Sequence, residues 1–268
     1  MPVVELNGIR LSYQVTGSGE LVVLVMGTGS PGRVWQLHQV PALIAAGYRV
    51  ATVDNRGIPP SDECAGGMTI DDLVGDTAAL IEHLGGGPAR VVGTSLGARV
   101  VQEVALARPD LVSQAVMMAA HGRPSPLHST LSVGERALSD AGIELPPEYY
   151  AAITAMQNLS PRTLNDATAV RDWLDLFEFA GSPIGAGERA QLELDDFPDR
   201  LGDYRRITVP SLVIGFSDDL MVPPYLGREV AGAIPGARYE EIEGCGHYGY
   251  LERPDEVNEL IVKFFALA

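Results

Sequence analysis

The chain has almost no lysine. Of its 19 basic residues only Lys263 is a lysine and the rest are arginine, set against 35 acidic residues, for a formal charge of -16 over 268 residues. There is no P-loop lysine and no basic patch, and a field of that sign repels nucleic acid and anionic membrane surfaces. No apolar run approaches the ~20 residues that cross a bilayer. The opening MPVVELNGIRLSYQV lacks the basic flank and apolar core of a secretory signal, so a cytoplasmic protein is expected. Two cysteines, Cys64 and Cys245, are too few and too far apart for a disulfide framework. Cys245 and His247 have no further ligand at metal-site spacing, so no zinc or other metal site is expected. Nothing in the sequence sets the oligomeric state.

What the chain does have is glycine, and one glycine cluster poses a question. LVVLVMGTGSPG (21–32) runs from an apolar stretch into Gly27, Gly29 and Gly32, the GxGxxG spacing of a dinucleotide-binding turn. A helical stretch (34–46) and a second strand ending in Asp54, where such a domain holds a ribose, complete that pattern. The N-terminal hairpin around Asn7-Gly8 does not, because a dinucleotide domain begins with its parallel strand.

Buried-type strands at 21–26, 48–54 and 90–92 alternate with helical segments, the rhythm of a parallel sheet. Thr69 caps a helix whose apolar positions, from Ile70 to Leu84, recur at i+3/i+4 until Gly85-Gly86-Gly87. A second helix is expected over 96–107 and a strand ending near Ala120. From 122 to 206 the strand rhythm gives way to four or so helices separated by Pro and Gly, an inserted lobe. It returns with PSLVIGFSDD, a helix after Pro223-Pro224, the strand ARYEEIEG, a loop carrying His247 and a closing helix from Pro254. The expected organisation is therefore a core of residues 1–121 and 207–268 and a helical insertion of 122–206.

VVGTSLGARVV places Gly93, Ser95 and Gly97 in a GxSxG between a strand and a helix. A serine on such a sharp turn is held with its hydroxyl exposed beside the N–H groups of the helix N-terminus. It becomes a nucleophile only with a base and a group that orients the base. Asp218 or Asp219 after one strand and His247 after the next supply both, at strand ends that converge on one edge of a parallel sheet.

With MGTGSPG, DNRGIPPSD, GTSLG with DDLMVPP, and GCGHYGYLERPDEV in that order, the sequence resembles the α/β-hydrolase superfamily over nearly its whole length. The resemblance implies an α/β-hydrolase fold, a mostly parallel twisted sheet flanked by helices, with a helical cap. It implies Ser95 as nucleophile, His247 as general base and Asp219, four residues before Pro223, as acid, with Asp218 the runner-up. It also answers the glycine question, because in the family that loop completes the oxyanion hole: Thr28 and Leu96 supply the N–H groups, Asp54 belongs to the DNRG turn, Arg56 braces it, and no cofactor is required. Two departures are Met26-Gly27 where many relatives have His-Gly, and Pro59-Pro60-Ser61 in place of Gly-x-Ser. A serine at the nucleophile position speaks against the dehalogenase and epoxide hydrolase branches, whose alkyl-ester intermediate needs a carboxylate.

The expected function is a cofactor-free serine hydrolase of a neutral, fairly apolar ester, lactone or thioester, resembling small actinobacterial hydrolases of natural-product pathways. Trp173, Phe177, His121 and Tyr248 are the candidate substrate contacts. The alternatives are carbon–carbon bond hydrolysis or cofactor-free perhydrolysis on the same residues, and a non-catalytic small-ligand receptor on the same fold.

Overall fold

The computed structural model describes residues 2–181 and 184–267. Eight strands form one sheet: β1 (Val3–Leu6), β2 (Ile9–Gly17), β3 (Leu21–Val25), β4 (Arg49–Asp54), β5 (Ala89–Thr94), β6 (Val112–Met118), β7 (Ser211–Phe216) and β8 (Arg238–Ile242). Their spatial order is β1-β2-β4-β3-β5-β6-β7-β8. The β1–β2 and β2–β4 pairings are antiparallel and the rest parallel. Asn7 and Gly8, both at positive φ, make the two-residue turn that joins β1 to β2 with the twist of the flanking strands.

Helices cover both faces. Between the strands run α1 (Gln39–Ala45), α2 (Ile70–His83) and α3 (Leu96–Ala107), and after β7 come α10 (Pro224–Ala233), the short α11 (Gly249–Glu252) and α12 (Pro254–Phe265). Because successive side chains of a strand point to opposite faces, β3 feeds two cores at once. Val22 and Leu24 pack with Val40, Leu43, Ile261 and Phe265 of α1 and α12. Val23 and Val25 pack with Leu73, Ile81, Val100, Val104 and Val230 of α2, α3 and α10. This double burial is why β3, β5 and β7 carry no exposed residue.

One sequence expectation shifts locally and another is met in full. The stretch 34–46 is divided into a 3-10 segment (Gly32–Leu37) and α1, because Pro41 has no N–H to donate to the Leu37 carbonyl and a continuous helix fails there. The α2 start is a full capping box: Thr69 Oγ1 accepts from the Asp72 N–H, and Asp72 accepts from the Thr69 N–H at 2.8 Å.

Between β6 and β7 the described residues form helices only: α4 (Pro126–Asp140), α5 (Pro147–Asn158), α6 (Pro161–Leu164), α7 (Ala169–Ala180), α8 (Ala186–Leu192) and α9 (Leu201–Tyr204), with a 3-10 turn at Glu193–Asp195. The extra elements beyond four helices are α6 and α9, each a single turn.

The sheet order sets where a site can form. From β3 the chain winds outward to β4 and then crosses back to β5 on the other side of β3. The loops leaving β3 and β5 therefore diverge and open a crevice at the C-terminal edge of the sheet.

Candidate active site

Ser95 follows β5 without a linker and α3 begins at the next residue, so the chain must turn within one residue. It does so with Ser95 at φ 55° and ψ -121°, a conformation that a non-glycine residue keeps only when its surroundings hold it. The Ser95 N–H donates to the Met118 carbonyl at 3.0 Å and its carbonyl accepts from the Arg99 N–H at 3.1 Å. The flanking glycines are there for space. A Cβ on Gly93 would land on the Gly97 carbonyl, and one on Gly97 would land on the Val25 and Met26 carbonyls. Close approach of α3 to the end of β3 brings Ser95 against Gly27, whose Cβ position lies 3.2 Å from that of Ser95.

Leu96 is the first residue of α3, so its N–H has no acceptor within the helix. Thr28 stands in the loop after β3, facing the same space as Ser95. The dinucleotide reading of this loop meets a specific obstacle. Asp54 Oδ1, which would hold a ribose in that reading, accepts from the Gly32 N–H at 2.8 Å, and a Cβ on Gly32 would sit 2.5 Å from the Val53 carbonyl oxygen. The third glycine and the acid thus tie β3's loop to β4. Arg56 makes a bidentate pair with Asp76 of α2 at 2.6 Å on both arms, and bracing is what it does.

His247 lies five residues beyond β8 with its Nδ1 2.8 Å from Asp219 Oδ2. The Asp219 side chain is fully buried, and its other oxygen accepts from the N–H groups of Met221 and Val222, both at 2.8 Å. Asp218 points elsewhere and is half-buried, its N–H donating to the Cys245 carbonyl. Of the two adjacent acids, Asp219 is the one that the loop builds against the histidine. The Cys245 thiol is buried against the Ile242 carbonyl, and burial pushes its pKa up to about 12, which leaves it a thiol rather than a thiolate nucleophile.

The loop of His247 is held by a residue that sequence reasoning missed. Glu252 in α11 accepts from the Gly246 N–H at 2.6 Å, from the Ser160 N–H and hydroxyl at 3.0 and 2.7 Å, and from the Thr163 hydroxyl at 2.5 Å. It stitches the histidine loop to the α5–α6 junction. At the opposite end of the crevice Gln191 of α8 bridges the Gly29 N–H (2.9 Å) and the Arg56 carbonyl (2.8 Å).

Ser95, His247, Thr28 and Tyr248 line one cavity of about 860 Å³ between the sheet edge and the inserted helices. Three expected substrate contacts lie elsewhere. Trp173 and Phe177 pack on each other with ring centroids 5.4 Å apart and with Ala151, Ala155 and Leu159, a cluster that Tyr248 of the histidine loop also joins; the apolar face of α7 is spent on α5 and on the far side of Tyr248. His121 is buried between His128 and Phe197, where desolvation drives its pKa well below the ordinary histidine value. It does not line the cavity, whereas His128 does. The mostly apolar lining also carries acids: Glu135, Glu144, Glu188 and Asp195 face the cavity, and no arginine or lysine does among the described residues. Within those residues no helix is long and apolar enough to cross a membrane, and no cluster of three potential metal ligands occurs.

The sheet order, the turn at Ser95 and the His247–Asp219 pair define an α/β-hydrolase-type protein. The alpha/beta hydrolase family model matches residues 22–260, and the chain belongs to that family. A Mycobacterium tuberculosis protein provisionally named as a non-heme bromoperoxidase, BpoC, is 48% identical, with 96% of this chain and 98% of that protein covered. Its crystal structure superposes with a TM-score of 0.92 at 47% identity, covering 96% of this chain and 95% of that one. A 2-hydroxy-6-oxononadienedioate/2-hydroxy-6-oxononatrienedioate hydrolase of Burkholderia vietnamiensis is 30% identical over 96% of this chain and 91% of its own. The enol-lactonase of Burkholderia xenovorans superposes with a TM-score of 0.85 at 26% identity, covering 99% and 100% of the two chains. Together these relatives support a hydrolase.

Proposed function

We propose that the protein is a cofactor-free serine hydrolase that cleaves an ester, lactone or thioester through an acyl-enzyme. The observation that carries this reading is Ser95, set at positive φ between β5 and α3, sharing one cavity with a histidine whose Nδ1 is engaged by a buried carboxylate. With Nδ1 bonded to Asp219, Nε2 is the ring nitrogen left to take a proton. Ser95 Oγ attacks the acyl carbon as His247 accepts its proton, the N–H groups of Thr28 and Leu96 receive the charge on the carbonyl oxygen, and His247 returns the proton to the leaving group. Water then repeats the sequence on the acyl-enzyme, and perhydrolysis would follow if hydrogen peroxide took its place.

Carbon–carbon hydrolysis on the same residues is the second reading, prompted by the relative at 30% identity. That relative is named for a dioate, a substrate with two carboxylates. A cavity without arginine or lysine in its described lining supports acyl cleavage of a substrate without such groups instead.

A fluorophosphonate tests the reading, because its tetrahedral phosphorus resembles the charged intermediate. It should add once to Ser95, fail on Ser95→Ala and react much more slowly with His247→Ala. A panel of p-nitrophenyl esters, lactones, acyl thioesters and β-diketones, with products identified by mass, then separates the reactions. Folded protein that refuses small fluorophosphonates and the whole panel would overturn the enzyme reading in favour of a receptor.

A further inference from the structure

The electrostatics of the cavity go beyond the acyl-transfer machinery. Four carboxylates face a space of about 860 Å³ that contains the candidate nucleophile, and no arginine or lysine among the described residues faces it with them. In a chain with 19 basic side chains this is a matter of direction. The arginines on the same helices are engaged elsewhere and do not line the cavity: Arg189, next to Glu188, pairs with Asp140 and Glu193, and Arg136, next to Glu135, donates to the Ser132 carbonyl.

The four acids are not equivalent. Asp195 is satisfied by the Ser132 hydroxyl and lies 3.5 Å from His128 Nε2. Glu144 is exposed at the mouth. Glu135 of α4 and Glu188 of α8 line the same cavity, close enough for the charge of one to act on the other. What acts on Glu135 is burial, then the charge of Glu188, then that of Asp195, with no cation or hydrogen-bond donor among these influences, and its pKa is pushed up to about 7. Burial likewise raises Glu188, against the Gly185 N–H. Both carboxyls bear on the phenols of Tyr150 and Tyr248, which burial also holds above the ordinary range. Glu188 is also close to the chemistry. Its Oε1 is 2.5 Å from where a Cβ on Gly29 would stand, so the carboxylate presses on the loop that carries Thr28.

A partly buried carboxyl pair with no protein cation beside it carries an uncompensated desolvation cost that a cationic ligand group would relieve. We propose that Glu135 and Glu188 select acyl substrates whose acyl chain ends in a basic or quaternary ammonium group, and discriminate against acyl chains that end in a carboxylate. This rests on the serine-hydrolase reading above and names the substrate class for that site. The cation would occupy the space between α4 and α8 while the carbonyl lies at Ser95.

A charge series at constant shape tests it: p-nitrophenyl 6-(trimethylammonio)hexanoate, its tert-butyl isostere p-nitrophenyl 7,7-dimethyloctanoate, and the corresponding ester ending in a carboxylate, assayed at pH 8 with the wild-type protein. The ammonium ester should exceed the neutral isostere in kcat/KM by tenfold or more, and the carboxylate ester should fall below it by at least as much. Glu135→Gln and Glu188→Gln should each pull the ammonium-to-neutral ratio towards one. Equal kcat/KM across the wild-type series, or a ratio that neither variant changes, overturns the proposal even though ester turnover sustains the hydrolase reading. Failure of fluorophosphonate labelling together with absence of all turnover overturns both. If neither variant folds, the wild-type series decides alone.

Discussion

Replacing Asp219 with asparagine is the sharpest perturbation this site offers, because its hydrogen bonds dictate how the amide must sit. Asp219 Oδ1 accepts from two backbone N–H groups, Met221 and Val222, while Oδ2 faces His247 Nδ1. In Asp219→Asn the amide oxygen must remain on the two N–H groups, since turning the NH2 towards them would bury donors against donors at about 1–3 kcal/mol each. The NH2 then faces Nδ1 and donates to it, so the imidazole carries its proton on Nε2. That nitrogen can no longer accept a proton from Ser95. The fold keeps both backbone contacts, so the melting temperature should hold within a few degrees while kcat falls about 10⁴-fold, roughly 5 kcal/mol in the barrier. Asp218→Asn, which touches neither N–H group nor the histidine, should stay within about threefold of wild type. Initial rates on a p-nitrophenyl ester with a thermal melt of each variant make the measurement. An Asp219→Asn enzyme that retains a tenth of the activity, or an Asp218→Asn enzyme that is the more damaged, would refute the reasoning.

Phe177→Ala should lower the stability of the protein by about 3–4 kcal/mol through loss of the ring from the α5–α7 core and leave the preference among short acyl chains unchanged; a melt and an ester panel check both halves. Gly97→Ala drives a Cβ onto the Val25 and Met26 carbonyls, so α3 must back away from β3. A cost of about 1–3 kcal/mol and a loss of fluorophosphonate labelling are expected, and full labelling would show that the close approach is not needed. Stability should also report Glu135, because between about pH 4.5 and 7 the unfolded chain releases a proton that the folded chain keeps, so this residue's contribution falls as pH rises. The shift from 4.5 to about 7 is on the order of 3 kcal/mol. The buried His121, its pKa lowered, acts with the opposite sign below pH 6.5, so the quantity to read is wild type minus Glu135→Gln in urea melts from pH 5 to 7.5. A flat difference would contradict the assignment.

The parts of this molecule legible from sequence are those where one local constraint has one solution. Runs such as Leu21–Val25 and Ala89–Thr94 are buried on both faces and read as interior parallel strands. Gly93 and Gly97 announce a turn that no other residue fits. Asp219 rather than Asp218 follows from backbone donors two and three residues onward, a relation that spacing from Pro223 tracks without revealing. The cavity wall was not legible for the converse reason. α4 buries only Ser132, so its sequence does not mark Glu135 as an inward residue, and Glu135 meets Glu188 only through the packing of α4 on α8. In α7 the strongest apolar face of the insertion, Trp173 and Phe177, satisfies pocket and core readings equally, and only the position of α5 assigns it to the core. Glu252 sits in YLERPDEV like an ordinary helix-surface acid. Its donors are Gly246, six residues back, and Ser160 and Thr163, far away along the chain.

Those long-range contacts bear on how a substrate reaches Ser95. Gln191 fastens one end of the inserted helices to the loop of Thr28 and to the DNRG turn, where a Cβ on Gly187 would also collide with the Gly57 carbonyl. Glu252 fastens the other end to the loop of His247. Raising the segment as a whole would break hydrogen bonds at both of the loops that must stay in register with Ser95, so an opening of that kind would dismantle the site it admits substrate to. Among the described residues the cavity reaches solvent along the turn between α4 and α5, where Ile143, Glu144 and Tyr149 line it and are exposed. On the serine-hydrolase proposal, a substrate entering there would meet the exposed Glu144 before the half-buried Glu135 and Glu188. The proposed selection by charge would then act on the substrate before the chemistry does.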